Sequence, residues 1–491
     1  MQKNLNCGKI LYIRYGGVKM NYDVIIIGAG VVGAQIARRL SKYKLNVLVL
    51  EKENDVGDGS SSANSAIIHS GYDPIPGTLK AKLNVLGNQM YDEICRDLDV
   101  EFKRIGSLTL SNNEEEDEIL KELEERAKLN NVEVRLINQE ELRIMEPNVS
   151  KSARMALFAP TAGIINPFEL VVALMENAID NGVELHLSEE VINIKRENDL
   201  FKVTTPVNTY ITNYVINASG LYSDKVNEMV NPKSFTIIPT KGEYTVLDHF
   251  DNDYVLHTLF NVPSKKGKGV LVSPTTSNNY LVGPSSEVIM EKDDTSCNYE
   301  ILSNVTAKAT DLVDVVRKDQ QIKQFAGIRA VSDTKDFVIE ETSHHFINVA
   351  GIQSPGLASS PAIAVMVCDM IENKVEKENW NPCRRPLIRL NKMSFEQRKE
   401  FVSNNPSFGK LICQCEKITE GEIIDVINRS CGATTIKGVK KRVRPGFGKC
   451  QGGFCQTYVM DILSKELNIN KEDIPYGKNG SYIVKGRTKG E

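Results

Sequence analysis

Asp23-Val24-Ile25-Ile26-Ile27-Gly28-Ala29-Gly30-Val31-Val32-Gly33 is the stretch that decides the fold of this 491-residue chain. Val24 to Ile27 is a short continuous apolar run, the pattern of a strand buried on both faces. It leads into a G-x-G-x-x-G turn, and the spacing after it predicts a helix over 31–40. In such a turn Gly28 permits the tight bend and Gly30 lets backbone approach a pyrophosphate. Gly33 lets helix and strand pack closely, and the helix N-terminus faces the phosphate charge. A second apolar strand, 47–50, ends at Glu51, where a carboxylate can accept from ribose hydroxyls, with Lys52 beside it. Together these segments make a β-α-β unit.

Three further stretches carry small residues at strand ends. Gly59 to Gly71 holds Ser61, Ser62, Asn64 and Ser65, whose short polar side chains can approach a pyrophosphate and then a flavin ring. Asn217 to Ser223 ends another strand and contributes Ala218 and Gly220. Gly351 to Leu357, with Ser354 and Gly356, opens a helix whose N-terminus can stabilise negative charge on a reduced isoalloxazine. Glycine-bearing strand ends spread this widely suit one long ligand, FAD, better than a nicotinamide cofactor.

Helical patterns cover 81–98, 114–130 and 167–181, and another helix is expected from about Pro361 to Glu372. Strand-like runs at 183–187, 201–205, 210–218, 235–247, 269–273 and 280–282 suggest a mixed sheet in the middle of the chain. The first twenty residues read as an extension. Pro382 and Pro386 precede a polar stretch, 391–408, which reads as a linker.

Beyond the linker stand Cys413-Gln414-Cys415 and Cys450-Gln-Gly-Gly-Phe-Cys455. Two close thiolate pairs on separate loops suit one metal centre, either zinc or iron–sulfur. Zinc ribbons usually pair C-x-x-C with C-x-x-C, so the C-x-C and C-x-x-x-x-C spacings here disfavour zinc. Lys437, Lys440, Lys441, Arg442, Arg444 and Lys449 crowd the segment before Cys450. Three readings stand for them: raising the potential of a negatively charged centre, docking an acidic partner, or forming a solvated basic face. Cys7, Cys95, Cys297, Cys368, Cys383 and Cys431 stand apart as ordinary thiols.

Sixty basic and 64 acidic residues give a formal net charge of −4, so no global basic signal points to nucleic acid. Residues 1–20 lack the apolar core of a signal peptide, and no apolar run approaches the roughly 20 residues that cross a bilayer. A reducing cytoplasm is the expected setting, with peripheral membrane attachment through a partner left open.

Four stretches resemble the D-amino-acid oxidase and glycine oxidase superfamily of FAD enzymes, closest to its L-2-hydroxyglutarate oxidase and glycerol-3-phosphate dehydrogenase branch. They are Ser65 to Gly71, Lys241-Gly242-Glu243-Tyr244, Phe325 to Ala330, and Gly351 to Leu357. The C-terminal cysteines resemble the bacterioferritin-associated-ferredoxin type of [2Fe-2S] domain. The combination is similar to the large subunits of anaerobic glycerol-3-phosphate dehydrogenases. The resemblance implies an α/β FAD-binding Rossmann-type domain interleaved with an α+β substrate domain, followed by a small helical [2Fe-2S] domain. The expected FAD parts are about 21–90, 150–235 and 325–385, and the substrate parts about 91–149 and 236–324. The [2Fe-2S] domain is expected over 409–470, with Cys413, Cys415, Cys450 and Cys455 as ligands, and a tail over 471–491.

Enzymes of this kind move a hydride to flavin while a base takes the hydroxyl proton. A histidine suits the base, because imidazole titrates near working pH. His69 lies in the flavin-lining motif and leads; His257 is the alternative. An anionic substrate needs a cation: Arg329, which the resemblance turns towards the flavin, with Lys241 as a second charge. Aerobic glycerol-3-phosphate dehydrogenases carry an arginine shortly after the histidine-glycine motif, where this chain has Tyr72-Asp73-Pro74. Glycerol 3-phosphate and a 2-hydroxy acid such as L-2-hydroxyglutarate therefore both remain as substrates. The cysteines argue for a dehydrogenase that passes electrons to a second flavoprotein or acceptor subunit. A simple oxidase and an electron-transfer subunit of a larger flavoprotein complex are the rival readings.

Overall fold

The computed structural model describes residues 20–250, 252–263, 269–486 and 488. Apart from Met20, the N-terminal extension and its Cys7 lie outside them. Strand β1, Met20–Ile27, starts ahead of the apolar run and lies between β2, Val47–Leu50, and the Thr209–Asn217 strand, parallel to both. Glu184–His186 adds to the far side of β2, and Phe346–Ala350 pairs in parallel with Thr209–Asn217. Val24, Ile25, Ile26, Leu48 and Val49 have no exposed surface, as continuous apolar runs between two covering layers require. Helix α1, Val31–Leu40, covers one face together with the Pro167–Asp180 and Gly356–Asp369 helices. Helix α2, Leu79–Asp97, packs against the last of these.

The runs expected to form one mixed sheet divide between two: 183–187, 201–205 and 210–218 join the first sheet, and 235–247, 269–273 and 280–282 the second. Its spine is the long antiparallel pair Ile237–Leu247 and Gln321–Ser332. Thr258–Asn261 runs parallel to Ser107–Ser111, and this layer has its own core around Leu108, Leu259, Val272 and Leu312. Helix α3, Glu114–Leu129, turns Leu120, Leu123 and Ala127 inward. The chain crosses between the two sheets repeatedly, so the Rossmann-type and substrate layers are interleaved.

One helix starts earlier than its proline suggested. The helix expected from about Pro361 instead runs Gly356–Asp369, with Pro361 inside it. Proline has no N–H for the carbonyl four residues back, which is that of Leu357. The Tyr91 hydroxyl donates to this carbonyl at 2.5 Å and the Ser360 hydroxyl at 2.9 Å, so the lost bond is replaced.

The polar stretch read as a linker is partly ordered. Phe395–Asn404 is a helix closed by a capping box between Ser394 and Gln397, with none of its residues buried. Just before it, Arg384 is buried and donates to Glu176 at 2.7 Å. The other oxygen of Glu176 accepts from Arg429 of the C-terminal module at 2.9 Å. That module packs the helices Glu420–Ile427, Ile436–Val443 and Gln456–Leu467 around Ile423, Val439 and Leu463. Among the described residues no helix is long and apolar enough to cross a membrane.

Candidate functional site

The glycine turn is built by close approach. A Cβ on Gly28, where φ is +102°, would stand 2.6 Å from the Ala218 carbonyl oxygen, and one on Gly33 would stand 2.0 Å from that of Gly28. Strand, turn and helix therefore meet at a spacing only glycine allows. The N-terminus of α1 has no cap from Gly30; the Val31 N–H donates instead to the Ser61 hydroxyl at 2.9 Å. Glu51 is buried, which pushes its pKa up, while its oxygens accept from the Ala29 N–H at 2.7 Å and the Glu53 N–H at 2.9 Å. Its neighbour Lys52 lies over the Tyr222 ring at 3.9 Å. Gly28, Gly30, Gly33, Glu51, Ser61 and Ala218 thus gather at one helix N-terminus, a donor set that fits a dinucleotide's phosphates and ribose.

The segment after Ser61 runs along the second sheet. The Ser60 hydroxyl donates to the Ile328 carbonyl at 2.6 Å, and a Cβ on Gly327 would collide with the Ala63 carbonyl at 1.9 Å. Asn64 folds back to the Ser60 and Ser61 carbonyls and accepts from the Ala66 N–H, while Ser62 donates to Gly59. Ser65 meets the Tyr244 hydroxyl at 2.9 Å.

Register settles which charged side chains share a face here. Thr240 lies opposite Arg329, Gly242 opposite Gly327 and Tyr244 opposite Phe325, while Lys241 lies opposite Ile328. Alternation puts Arg329 and Tyr244 on the face that meets residues 60–65 and puts Lys241 on the other. There Lys241 pairs with Asp294 at 2.9 Å. Arg329 donates to the Ser285 carbonyl at 2.6 Å, in space left by Gly242, and no carboxylate pairs with it among the described residues.

His69 is held by its backbone and its ring. Its carbonyl accepts from Asn84 at 2.6 Å and Asn88 at 3.0 Å, its ring stacks on Phe260, and its Nε2 lies 3.5 Å from the Ser354 hydroxyl. Ser354 stands just before the uncapped N-terminus that Gly356 and Leu357 open, with Gly351 at φ +66° leading into it. Gly220 lies at the corresponding end of the Thr209–Asn217 strand, where it accepts from Ser223. A small cavity of about 30 Å³ opens beside His69, lined also by Tyr72, Asp73, Asn84, Thr109 and Phe260. The structure does not bring His257 to this cavity's lining: its Nδ1 lies 3.1 Å from the buried Glu146.

Sequence reasoning missed Asn84 and Asn88, although two asparagines four apart on the buried side of α2 were a readable signal. Among the described residues the Asn84 Oδ1 and Ser70 Oγ are buried without a partner, beside His69.

The C-terminal cysteines form two pairs. Cys415 and Cys450 sulfurs lie 3.7 Å apart, and Cys455 donates to Cys413. That bond pulls Cys413 down to about 6 and raises Cys455. Backbone N–H groups of Cys415, Glu416 and Gly446 also point at Cys413. Among the described residues no three His, Cys, Asp or Glu side chains converge on a single ion position. Lys440 is buried beside Lys323 and Arg444, and burial followed by these cations pushes its pKa down to about 7. A negatively charged centre at the cysteines would offset this crowding, so the surroundings fit a cluster. Cys415 is exposed and Cys450 half-buried, with Phe454 81 % exposed between the pairs.

The basic segment is largely neither a solvated face nor a dock for a foreign protein. Lys440, Lys441 and Arg442 are buried, and the acids that Lys441 and Arg442 meet are this chain's own Asp55 and Asp58. Lys449 alone of the six is exposed, while Arg444 reaches Glu416 and Asn279.

Comparison with known proteins agrees with this geometry. Residues 23–370 match the family described as FAD dependent oxidoreductase, and residues 411–465 the BFD-like [2Fe-2S] binding domain. A glycerol 3-phosphate dehydrogenase of Caloramator mitchellensis is 47% identical over 477 residues, covering 96% of this chain and 99% of that protein. A glycerol 3-phosphate oxidase of Mycoplasma genitalium is 33% identical over 375 residues, covering 73% of this chain and 97% of its own length. Among solved structures, the dithionite-reduced L-alpha-glycerophosphate oxidase of Mycoplasma pneumoniae with FAD bound superposes with a TM-score of 0.72 at 30% identity, over 75% of this chain and all of that one.

Proposed function

The chain belongs to the FAD-dependent oxidoreductase family and carries a BFD-like [2Fe-2S] binding domain, and we propose that it oxidises glycerol 3-phosphate to dihydroxyacetone phosphate and delivers the electrons to a protein acceptor. One observation carries this reading: the glycerol 3-phosphate dehydrogenase relative matches the chain from the glycine turn through the cysteine module, whereas the oxidase relative leaves about a quarter unmatched. Bound in the cradle, FAD supplies the hydride acceptor, and a [2Fe-2S] cluster on Cys413, Cys415, Cys450 and Cys455 supplies one-electron transfer.

The remaining work belongs to side chains. Gly28, Gly30 and Gly33 admit the pyrophosphate, Glu51 holds the ribose, and Ser61, Asn64, Ser65 and the Gly351–Leu357 turn shape the path of the cofactor. The His69 imidazole takes the proton of the substrate hydroxyl, and Asn84 and Asn88 fix the backbone from which it projects. Arg329 supplies the charge for the anionic end; a guanidinium binds phosphate through two parallel hydrogen bonds. Tyr72, whose hydroxyl meets Thr109 at 2.7 Å, adds polar lining where aerobic relatives place an arginine. The acceptor, a second subunit or a separate carrier, docks at the exposed edge marked by Cys415, Phe454 and Lys449.

Anaerobic addition of glycerol 3-phosphate to the purified chain should bleach the flavin and then give the electron paramagnetic signal of a reduced [2Fe-2S] cluster. Bleaching by L-2-hydroxyglutarate alone would move the substrate to the 2-hydroxy acids. Flavin bleaching with peroxide formation that survives Cys413→Ser would replace the dehydrogenase by an oxidase.

A further inference from the structure

The loop 51–58 has one side in the nucleotide cradle and the other against the cysteine module. On the cradle side it encloses Ala29: the Ala29 N–H donates to Glu51 at 2.7 Å, and the Gly57 N–H donates back to the Ala29 carbonyl at 3.0 Å. On the module side Arg442 grips both oxygens of Asp55 at 2.9 Å, across 387 residues of sequence. Lys441 reaches Asp55 at 2.8 Å, the Val56 carbonyl at 3.0 Å and Asp58 at 3.2 Å. Lys437 adds a contact to Asp58 at 3.0 Å, and Asn54 donates to the Gly477 carbonyl at 2.6 Å. Gly438 leaves room for this contact, since a Cβ there would stand 3.2 Å from Asp55.

We propose that Lys441 and Arg442 of the cysteine module are positioning residues of the FAD site: they hold the 51–58 loop closed around Ala29, so that retention of FAD depends on the module being docked. The physical reason is the burial of the acids. Asp55 is 4 % exposed and the Asp58 side chain 1 %. A buried carboxylate stripped of its cation must take up a proton or move to water. A move to water would carry with it both groups that hold Ala29. By linkage, FAD binding must in turn strengthen docking of the module. The dependence is this chain's own. The Mycoplasma pneumoniae oxidase holds FAD while covering only 75% of this chain, so the fold itself does not demand a module.

The inference rests on the flavin reading, and two measurements on the full chain test it. Titrating FAD into flavin-stripped protein should give a dissociation constant raised at least tenfold by Arg442→Met, with iron content unchanged. Hydrogen exchange in the Ile436–Val443 helix of the unsubstituted chain should slow at least tenfold when FAD is added, which decides the matter even if Arg442→Met fails to fold. Exchange there that ignores FAD, or a folded Arg442→Met chain of undiminished FAD affinity, overturns the proposal alone. An unsubstituted chain that takes up no FAD would sink the flavin reading itself.

Discussion

Arg329 and Lys241 sit on paired strands, yet only one faces the residues that shape the cofactor path. Arg329 lacks a carboxylate partner among the described residues and has Tyr244 beside it; Lys241 is spent on Asp294. Replacing Arg329 by alanine should raise KM for an anionic substrate by about 100-fold, the loss of about 3 kcal/mol expected for a charge-assisted pair. Lys241→Met should leave KM within about threefold, because its charge is already neutralised on the far face. A steady-state comparison of the two variants separates the roles, and equal effects would refute the assignment. A second residue gives a pH test. Burial opposes protonation of His186, but its hydrogen bonds to Glu184 and Glu189 outweigh that and push its pKa up to about 9. In the unfolded chain a histidine loses its proton near pH 6.5, at about its ordinary value. The stabilisation is therefore full below about pH 6.5 and fades as pH rises to about 9. The melting-temperature gap between the natural chain and His186→Asn should shrink across that window; a gap that stays constant would show that the ion pairs do not stabilise the fold.

At the scale of the element, the Gly356–Asp369 helix depends on a donor from elsewhere. Tyr91→Phe removes one of two hydroxyls that serve the Leu357 carbonyl, and urea unfolding should show a loss of about 1 kcal/mol. This helix also marks where reading the sequence stops. β1, α1 and β2 were legible because strand, turn and helix are decided within a few neighbouring residues. The start of the later helix was not, since one of the two hydroxyls that replace the bond lost at Pro361 belongs to Tyr91, which arrives on α2. The same holds for Lys241 and Arg329: both are visible as cations, but their faces follow from strand register across many residues. His257 stood as the alternative base, and its contact with Glu146, 111 residues earlier, is not visible in the sequence.

Across the whole molecule, three anchors join the cysteine module to the first sheet: Asp55, Asp58 and Glu176. Glu176 receives Arg384 and Arg429 on separate oxygens, all three side chains being 2 % exposed or less. Glu176→Gln should destabilise the protein by about 2–3 kcal/mol in denaturant unfolding, since it removes a counter-charge shared by two buried guanidiniums and leaves Arg429 only Asp425 and Arg384 only Glu169. If the variant instead unfolds like the natural chain, the network carries no such load. The cysteine pairs and the basic run were plain in the sequence, yet which acids the cations meet was hidden by the length of chain between them. These anchors also decide how the exposed Cys415 edge is served. A module held at these anchors has no arm to swing, so an electron acceptor must come to that edge rather than the edge to it. With a separate carrier as that acceptor, the pace of unloading becomes a matter of collisions: how concentrated the carrier is, how often it strikes that one face, and how quickly it leaves for the next to land.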